Sequence, residues 1–153
     1  AETLADLEAP LRTLAEAHWP GPLTIVTPQR ADAPVASLVR AGLPTVAIRV
    51  PAHPAMQALL RATGRPLAAP SANASGSISP TRAEHVLKSL GGRIPCIVDA
   101  GPTALGLEST IVGMSGGELR LLRPGPIDLA APSNTGAKVV APGMLARHYA
   151  PAK

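Results

Sequence analysis

RPLAAPSANASGSISPT, residues 65–81, sets the reading of this chain. Leu67, Ala68 and Ala69 make a short apolar, strand-like run that ends at Pro70. A loop of small hydroxyl and amide side chains follows: Ser71, Asn73, Ser75, Ser77 and Ser79. Thr81-Arg82-Ala83-Glu84 then has capping-box spacing, with a hydroxyl at the cap and a carboxylate three residues on, and opens a helix. Strand, polar loop and helix start together present oxygens and unpaired backbone N–H groups, which is what an anion needs. The loop has neither the glycines nor the Gly-Lys-Ser/Thr ending of a Walker A loop. Two readings stay open on the pattern alone: a phosphate or polar-ligand site, and a serine-rich surface loop with no ligand.

Outward from this loop, strands and helices alternate. Leu4, Leu7, Leu11 and Leu14 make a helical stripe over residues 2–18, with a break expected near Ala9 because Pro10 interrupts it. Residues 19–22, Trp-Pro-Gly-Pro, form a rigid turn before the strand-like LTIVT of residues 23–27. Residues 33–40 read as a short helix closed by Gly42, 44–50 as a strand, and 51–62 as a helix stopped by Gly64. Residues 67–70 and 94–99 read as strands on either side of a helix over 81–90 that ends at Gly91-Gly92. Residues 109–114 and 118–123 flank Ser115-Gly116-Gly117, a hairpin signal. The pattern predicts an α/β or α+β domain around one twisted sheet. From Ala130 onward the chain is rich in Pro, Ala, Ser and Gly without a clear period, and reads as a linker or arm.

Composition narrows the function classes. A chain of 153 residues suits one domain with its own core. With no Phe and 1% aromatics, that core is aliphatic, and the stacking platforms of single-strand nucleic-acid binders are missing. The net charge of +4 favours anionic ligands, but the basic residues are spread rather than blocked. The one cysteine, Cys96, lies in the apolar run IPCIVDA, where burial in a strand is expected. No apolar span or signal-peptide pattern is present, so a cytoplasmic protein without membrane attachment is the default.

No nucleophile with an adjacent base stands out, and no Gly-x-Ser-x-Gly elbow occurs. The histidines His18, His53, His85 and His148 lack metal-ligand spacing. His18 and His53 sit beside prolines and His85 on a polar helix face, while His148 lies in Arg147-His148-Tyr149, a segment without an evident core role. Arg49 ends an apolar strand, where a long cation either snorkels or reaches a ligand; Thr45, four residues earlier, shares its face. Arg123 ends the last strand before Pro124-Gly125, a place for either a surface ion pair or a phosphate contact through its planar fork. Ser109 and Thr110 follow a Gly-rich turn, where hydroxyls either bind a carboxylate or cap the turn. This inventory suits a reaction run by positioning and charge stabilisation, such as transfer at a phosphate.

Five motifs together resemble one family: WPGPLT at 19–24, TVAIRVPAHP at 45–54, APSANASGSISPT at 69–81, ESTIV at 108–112 and LLRPGPI at 121–127. In this order they are similar to the YrdC/Sua5 family of threonylcarbamoyl-AMP synthases, and PGMLARHYAP at 142–151 resembles the linker of its longer Sua5 branch. The resemblance implies a YrdC-like twisted mixed sheet with flanking helices around a concave, positively charged cavity. It implies a catalytic domain over residues 1–129 and an interdomain linker arm over 130–153. The implied nucleotidyl transfer joins ATP, usually with Mg²⁺, to the carbamate of L-threonine and bicarbonate and releases pyrophosphate. The product serves tRNA modification at A37 through partner enzymes. Thr45, Ser71, Ser79 and Arg123 match ATP contacts of the family; Asn73 shapes the loop and stands with them, and His148 and Tyr149 of the linker cover the nucleotide. Arg49, Ser109 and the backbone of Ala69 match threonine contacts. No catalytic group and no protein-held metal is implied.

One departure bears on activity. The family carries a Lys-x-Arg pair before WPGPLT, and none of Lys88, Lys138 and Lys153 fits it. A fragment of a two-domain enzyme, weakly active or inactive by itself, is the expectation. Two other readings compete: a basic module that holds double-stranded RNA or tRNA without chemistry, and a carbamoyl-phosphate-using hydrogenase-maturation relative. The second normally carries zinc-finger-like parts, against one cysteine here.

Overall fold

In the computed structural model of the chain, residues 3–74 and 76–129 are described. They divide into two compact units, residues 3–58 with 107–129, and residues 59–106. The expected arm over 130–153, with His148 and Tyr149, lies outside the described residues.

The first unit is built on four strands: β1 (Leu23–Pro28), β2 (Thr45–Arg49), β3 (Thr110–Ser115) and β4 (Glu118–Arg123). They form one twisted mixed sheet in the order β2-β1-β3-β4. The β1–β2 and β3–β4 pairs are antiparallel and β1–β3 is parallel. The β3–β4 pair is the predicted hairpin. Alternation along β1 decides its two faces. Leu23 and Ile25 are fully buried with Val112 of β3 against Leu11 and Ala15 of helix α1 (Ala9–His18). Val26 points the other way, with Ile111 and Leu122. Val46 and Ile48 of β2 join Leu4, Ala5 and Ala33 in a neighbouring cluster, and Trp19 packs against both it and the α1 cluster. Trp19 also donates from Nε1 to the Leu23 carbonyl at 2.8 Å, and its bond to Pro20 is cis.

Several local expectations are corrected. The helix read over 2–18 is shorter: residues 3–8 are not helical and α1 begins at Ala9, where the break is expected, with Pro10 in the first turn, where its missing N–H has no helical partner to lose. Residues 33–40 form only one 3₁₀ turn, Ser37–Arg40, closed by Ala41 in the left-handed conformation. The helix read over 51–62 is α2 (Pro54–Thr63).

The second unit contains the end of α2 and helix α3 (Ala83–Leu90). Neither residues 67–70 nor residues 94–99 form a strand. An apolar run becomes a strand only where it finds a ladder to join, and neither run pairs with another described segment. Cys96, outside any sheet, is accordingly exposed rather than buried. The capping box does not form either. Arg82 is the cap residue of α3 and makes no side-chain cap. Instead the Thr81 N–H donates to His85 Nδ1 at 3.3 Å.

Candidate ligand site at one end of the sheet

Strand polarity brings four termini to the same end of the sheet: the starts of β1 and β3 and the finishes of β2 and β4. Thr24 of β1 pairs with Arg49 of β2 on one side and with Ile111 of β3 on the other. A register irregularity between Ile111 and Val112 sets Arg123 opposite Ile111, although Leu121 pairs with Val112. Such a bulge re-aims one side chain without ending the ladder. Arg49, Thr24 and Arg123 therefore stand in one row across all four strands, on the face away from α1.

Ser109, the residue before β3, ties this row together. Its hydroxyl lies 2.7 Å from Thr24 Oγ1. Arg123 Nη2 donates to that same hydroxyl at 3.0 Å, and Arg123 Nε and Nη2 donate to the Ser109 carbonyl at 3.0 and 2.8 Å. Glu108 Oε2 stands 3.5 Å from Arg123 Nη2. Ser109 and Arg123 are both buried. A fork that grips a main-chain carbonyl and a hydroxyl inside the protein is neither a surface ion pair nor a rim contact. It holds a positive charge at a set place.

Arg49 is exposed over part of its length, yet its Nε donates to the Gly21 carbonyl at 3.0 Å. Desolvation lowers its pKa, Glu108 opposes that shift and Arg123 adds to it. Two guanidiniums thus feel each other's field, with the Glu108 carboxylate acting against it, a setting in which an added anion is favoured. Glycines let the backbone approach here. A Cβ on Gly125 would lie 2.7 Å from the Glu108 carbonyl oxygen and nearer still to the Thr110 nitrogen. Thr110 Oγ1 in turn accepts from the Ile127 N–H at 3.0 Å and stays off the ligand face, capping this turn.

Thr45 shares the exposed side of β2 with Arg49, as its spacing predicts, but lies about 13 Å along the strand from it. Ala69, Ser71, Asn73 and Ser79 belong to the second unit. There Asn73 Nδ2 donates to the Ser77 carbonyl at 2.7 Å and the Ile78 carbonyl at 3.3 Å, closing the loop on itself. The Ala74 N–H donates to Ser89 Oγ of α3 at 2.8 Å. Asn73 Oδ1 is buried with no hydrogen-bond partner among the described residues. A cavity of about 350 Å³ beside it is lined by Asn73, Ser77, Ile78, His85 and Lys88. Ser71 and Ser79 are half-buried and Ala69 is exposed. Thr24 closes the WPGPLT motif and alternates with Leu23 and Ile25, but neither signal marks it as a member of this row. Among the described residues no cluster of three or more His, Cys, Asp or Glu side chains is placed to hold a metal ion, and no helix is long and apolar enough to cross a membrane.

A mixed sheet whose strand ends gather two arginines and two hydroxyls defines an α/β protein with an anion-oriented site. A family profile described as "Telomere recombination", that of the Sua5/YciO/YrdC proteins, matches residues 1–125. Threonylcarbamoyl-AMP synthase of Bacillus subtilis (strain 168) is 46% identical, covering 97% of this chain and 47% of the relative. The enzyme of the same name from Pyrococcus abyssi (strain GE5 / Orsay) is 43% identical, covering 90% and 44%. The solved structure of P. abyssi Sua5 complexed with L-threonine matches with a TM-score of 0.88 at 41% identity, covering 98% of this chain and 48% of that one. The chain belongs to the Sua5/YciO/YrdC family. It spans about half the length of the curated relatives it matches.

Proposed function

We propose that the chain carries the catalytic part of an L-threonylcarbamoyladenylate synthase, acting in the cytoplasm. Bicarbonate and the L-threonine amine give a carbamate with loss of water. A carbamate oxygen attacks the α-phosphorus of ATP, the bond from that phosphorus to the α,β-bridging oxygen breaks, and pyrophosphate leaves with the bond's electron pair. The product, threonylcarbamoyl-AMP, goes to the tRNA-modifying enzymes that act at A37.

The observation that carries this reading is the row of Arg49, Thr24 and Arg123 with Ser109 bonded to two of its members. Arg49, Ser109 and the Ala69 backbone hold L-threonine in this reading. Thr45, Ser71, Asn73, Ser79 and Arg123, with His148 and Tyr149, hold ATP. Arg123, fixed by Ser109, acts on the phosphates as a preorganised charge that needs no rearrangement as negative charge builds up. Mg²⁺ travels with the triphosphate, in keeping with its preference for phosphate oxygens and water over an all-protein cage. No Lys-x-Arg pair occurs in the 153 residues. Because one lost donor in such a site costs about 10²–10³-fold, these residues alone are expected to turn over slowly.

The test is pyrophosphate release from ATP with and without L-threonine and bicarbonate, on this chain and on a form extended at its N-terminus. Release that requires both co-substrates, faster in the extended form, supports the synthase. Absence of threonine dependence in both forms refutes it, and binding of RNA that weakens steeply with salt in the same samples would favour the binding-module reading instead.

A further inference from the structure

The pair formed by Thr24 and Ser109 carries a consequence for how the ligand is recognised. Each hydroxyl has one proton and two acceptor lone pairs. Ser109 Oγ already accepts from Arg123 Nη2 at 3.0 Å. Thr24 Oγ1, at 2.7 Å, makes its only described hydrogen bond to Ser109 Oγ. When Thr24 donates, both lone pairs of Ser109 are filled and its own proton must point to a third atom. Ser109 then acts only as a donor and takes an oxygen acceptor, not an ammonium group. In the opposite sense Ser109 gives its proton to Thr24, and the outward donor moves off Ser109.

The fields around the pair favour the first sense for an anionic ligand. Arg49 lies opposite Thr24 across the β1–β2 ladder and Arg123 adjoins Ser109, so an oxygen with negative charge is drawn to that proton. Ser109 is buried, so a proton left without an acceptor there is costly, whereas a carboxylate oxygen satisfies it. We propose that Thr24 is a positioning residue: its hydroxyl donates to Ser109 and turns the Ser109 O–H into a dedicated donor for the carboxylate of the amino-acid substrate. This rests on the synthase reading above. Thr24 touches the ligand only through Ser109, and its role is separable from packing because Val has nearly the same shape without the hydroxyl.

The experiment is a double-mutant cycle on L-threonine affinity, measured by calorimetric titration of whichever form shows threonine-dependent pyrophosphate release. Thr24→Val is expected to weaken L-threonine binding about tenfold, the size of one hydrogen bond to a charged group. Thr24→Ser restores the hydroxyl and the affinity. In a Ser109→Ala background Thr24→Val has less than about a twofold effect, because the route through Ser109 is already gone. Equal effects of Thr24→Val in both backgrounds, or failure of Thr24→Ser to restore binding, overturns the positioning role and leaves the synthase reading standing. If no form of the wild-type protein responds to L-threonine, the synthase reading fails and the role of Thr24 falls with it.

Discussion

Residues 3–58 with 107–129 bury Leu11, Leu23, Ile25 and Val112 completely, and fix polar groups by strand register. Residues 59–106 bury no described residue, and leave Ile78, Leu87, Val98 and Leu105 exposed. Their shape comes from turns and single bonds rather than a ladder, such as Asn73 to Ser77 within the loop and Ala74 to Ser89 of α3. The same kind of composition, aliphatic and small with few aromatics, produces both. The difference is that a ladder spreads the position of one residue to its neighbours, while a turn fixes only its own few residues. Arg49, Ser109 and Arg123 are therefore held before any ligand arrives, as a preorganised site requires. The serine loop is set by local chemistry, and segments of that kind open with small free-energy changes.

Substitutions in the two regions should separate this contrast. The largest effect is expected at Arg123. Arg123→Lys keeps the charge but cannot reach the Ser109 carbonyl and hydroxyl with one planar fork. Steady-state pyrophosphate release should fall about 10²-fold or more in kcat/KM. Retained activity would mean that charge alone, not its fixed placement, serves the site. Gly125→Ala comes next, because the new Cβ meets backbone on both sides and nothing flexible can yield. Urea denaturation should show a loss of about 2–3 kcal/mol.

A smaller effect of opposite sign is expected inside the sheet. Thr27 is buried and its hydroxyl has no hydrogen-bond partner among the described residues. Thr27→Val removes that unsatisfied group and should raise stability by about 1 kcal/mol, seen as a higher melting temperature. The smallest effect belongs to the second unit. Val98, 76% exposed, contributes little to packing, so Val98→Ser should change stability by no more than about 0.5 kcal/mol. A large loss there would break the contrast by showing that residues 59–106 depend on apolar burial after all.

What the sequence made legible follows the same division. LTIVT, the run from Thr45 to Arg49 and the hairpin around Gly116-Gly117 announce their strands, and each finds its ladder. The shared face of Thr45 and Arg49 follows from alternation alone. Residues 67–70 and 94–99 have comparable apolar runs but no partner, and pairing between distant segments is not written in either run. The position of Arg123 depends on the irregularity beside Ile111, and the importance of Thr24 depends on a bond to a residue 85 positions away. Both are products of long-range register. The motifs in 19–24, 45–54, 69–81, 108–112 and 121–127 identified the family and the candidate residues, while only the assembled strands show that Ser109 is the hub of the sheet-end group.

The most direct test of that hub is amide chemical-shift mapping as L-threonine is added. Shifts are expected at Gly21, Thr24, Arg49, Glu108, Ser109 and Thr110, with little change along α1. Saturable shifts confined to other residues, or none at all in a sample that releases pyrophosphate in a threonine-dependent way, would contradict a threonine site at this end of the sheet.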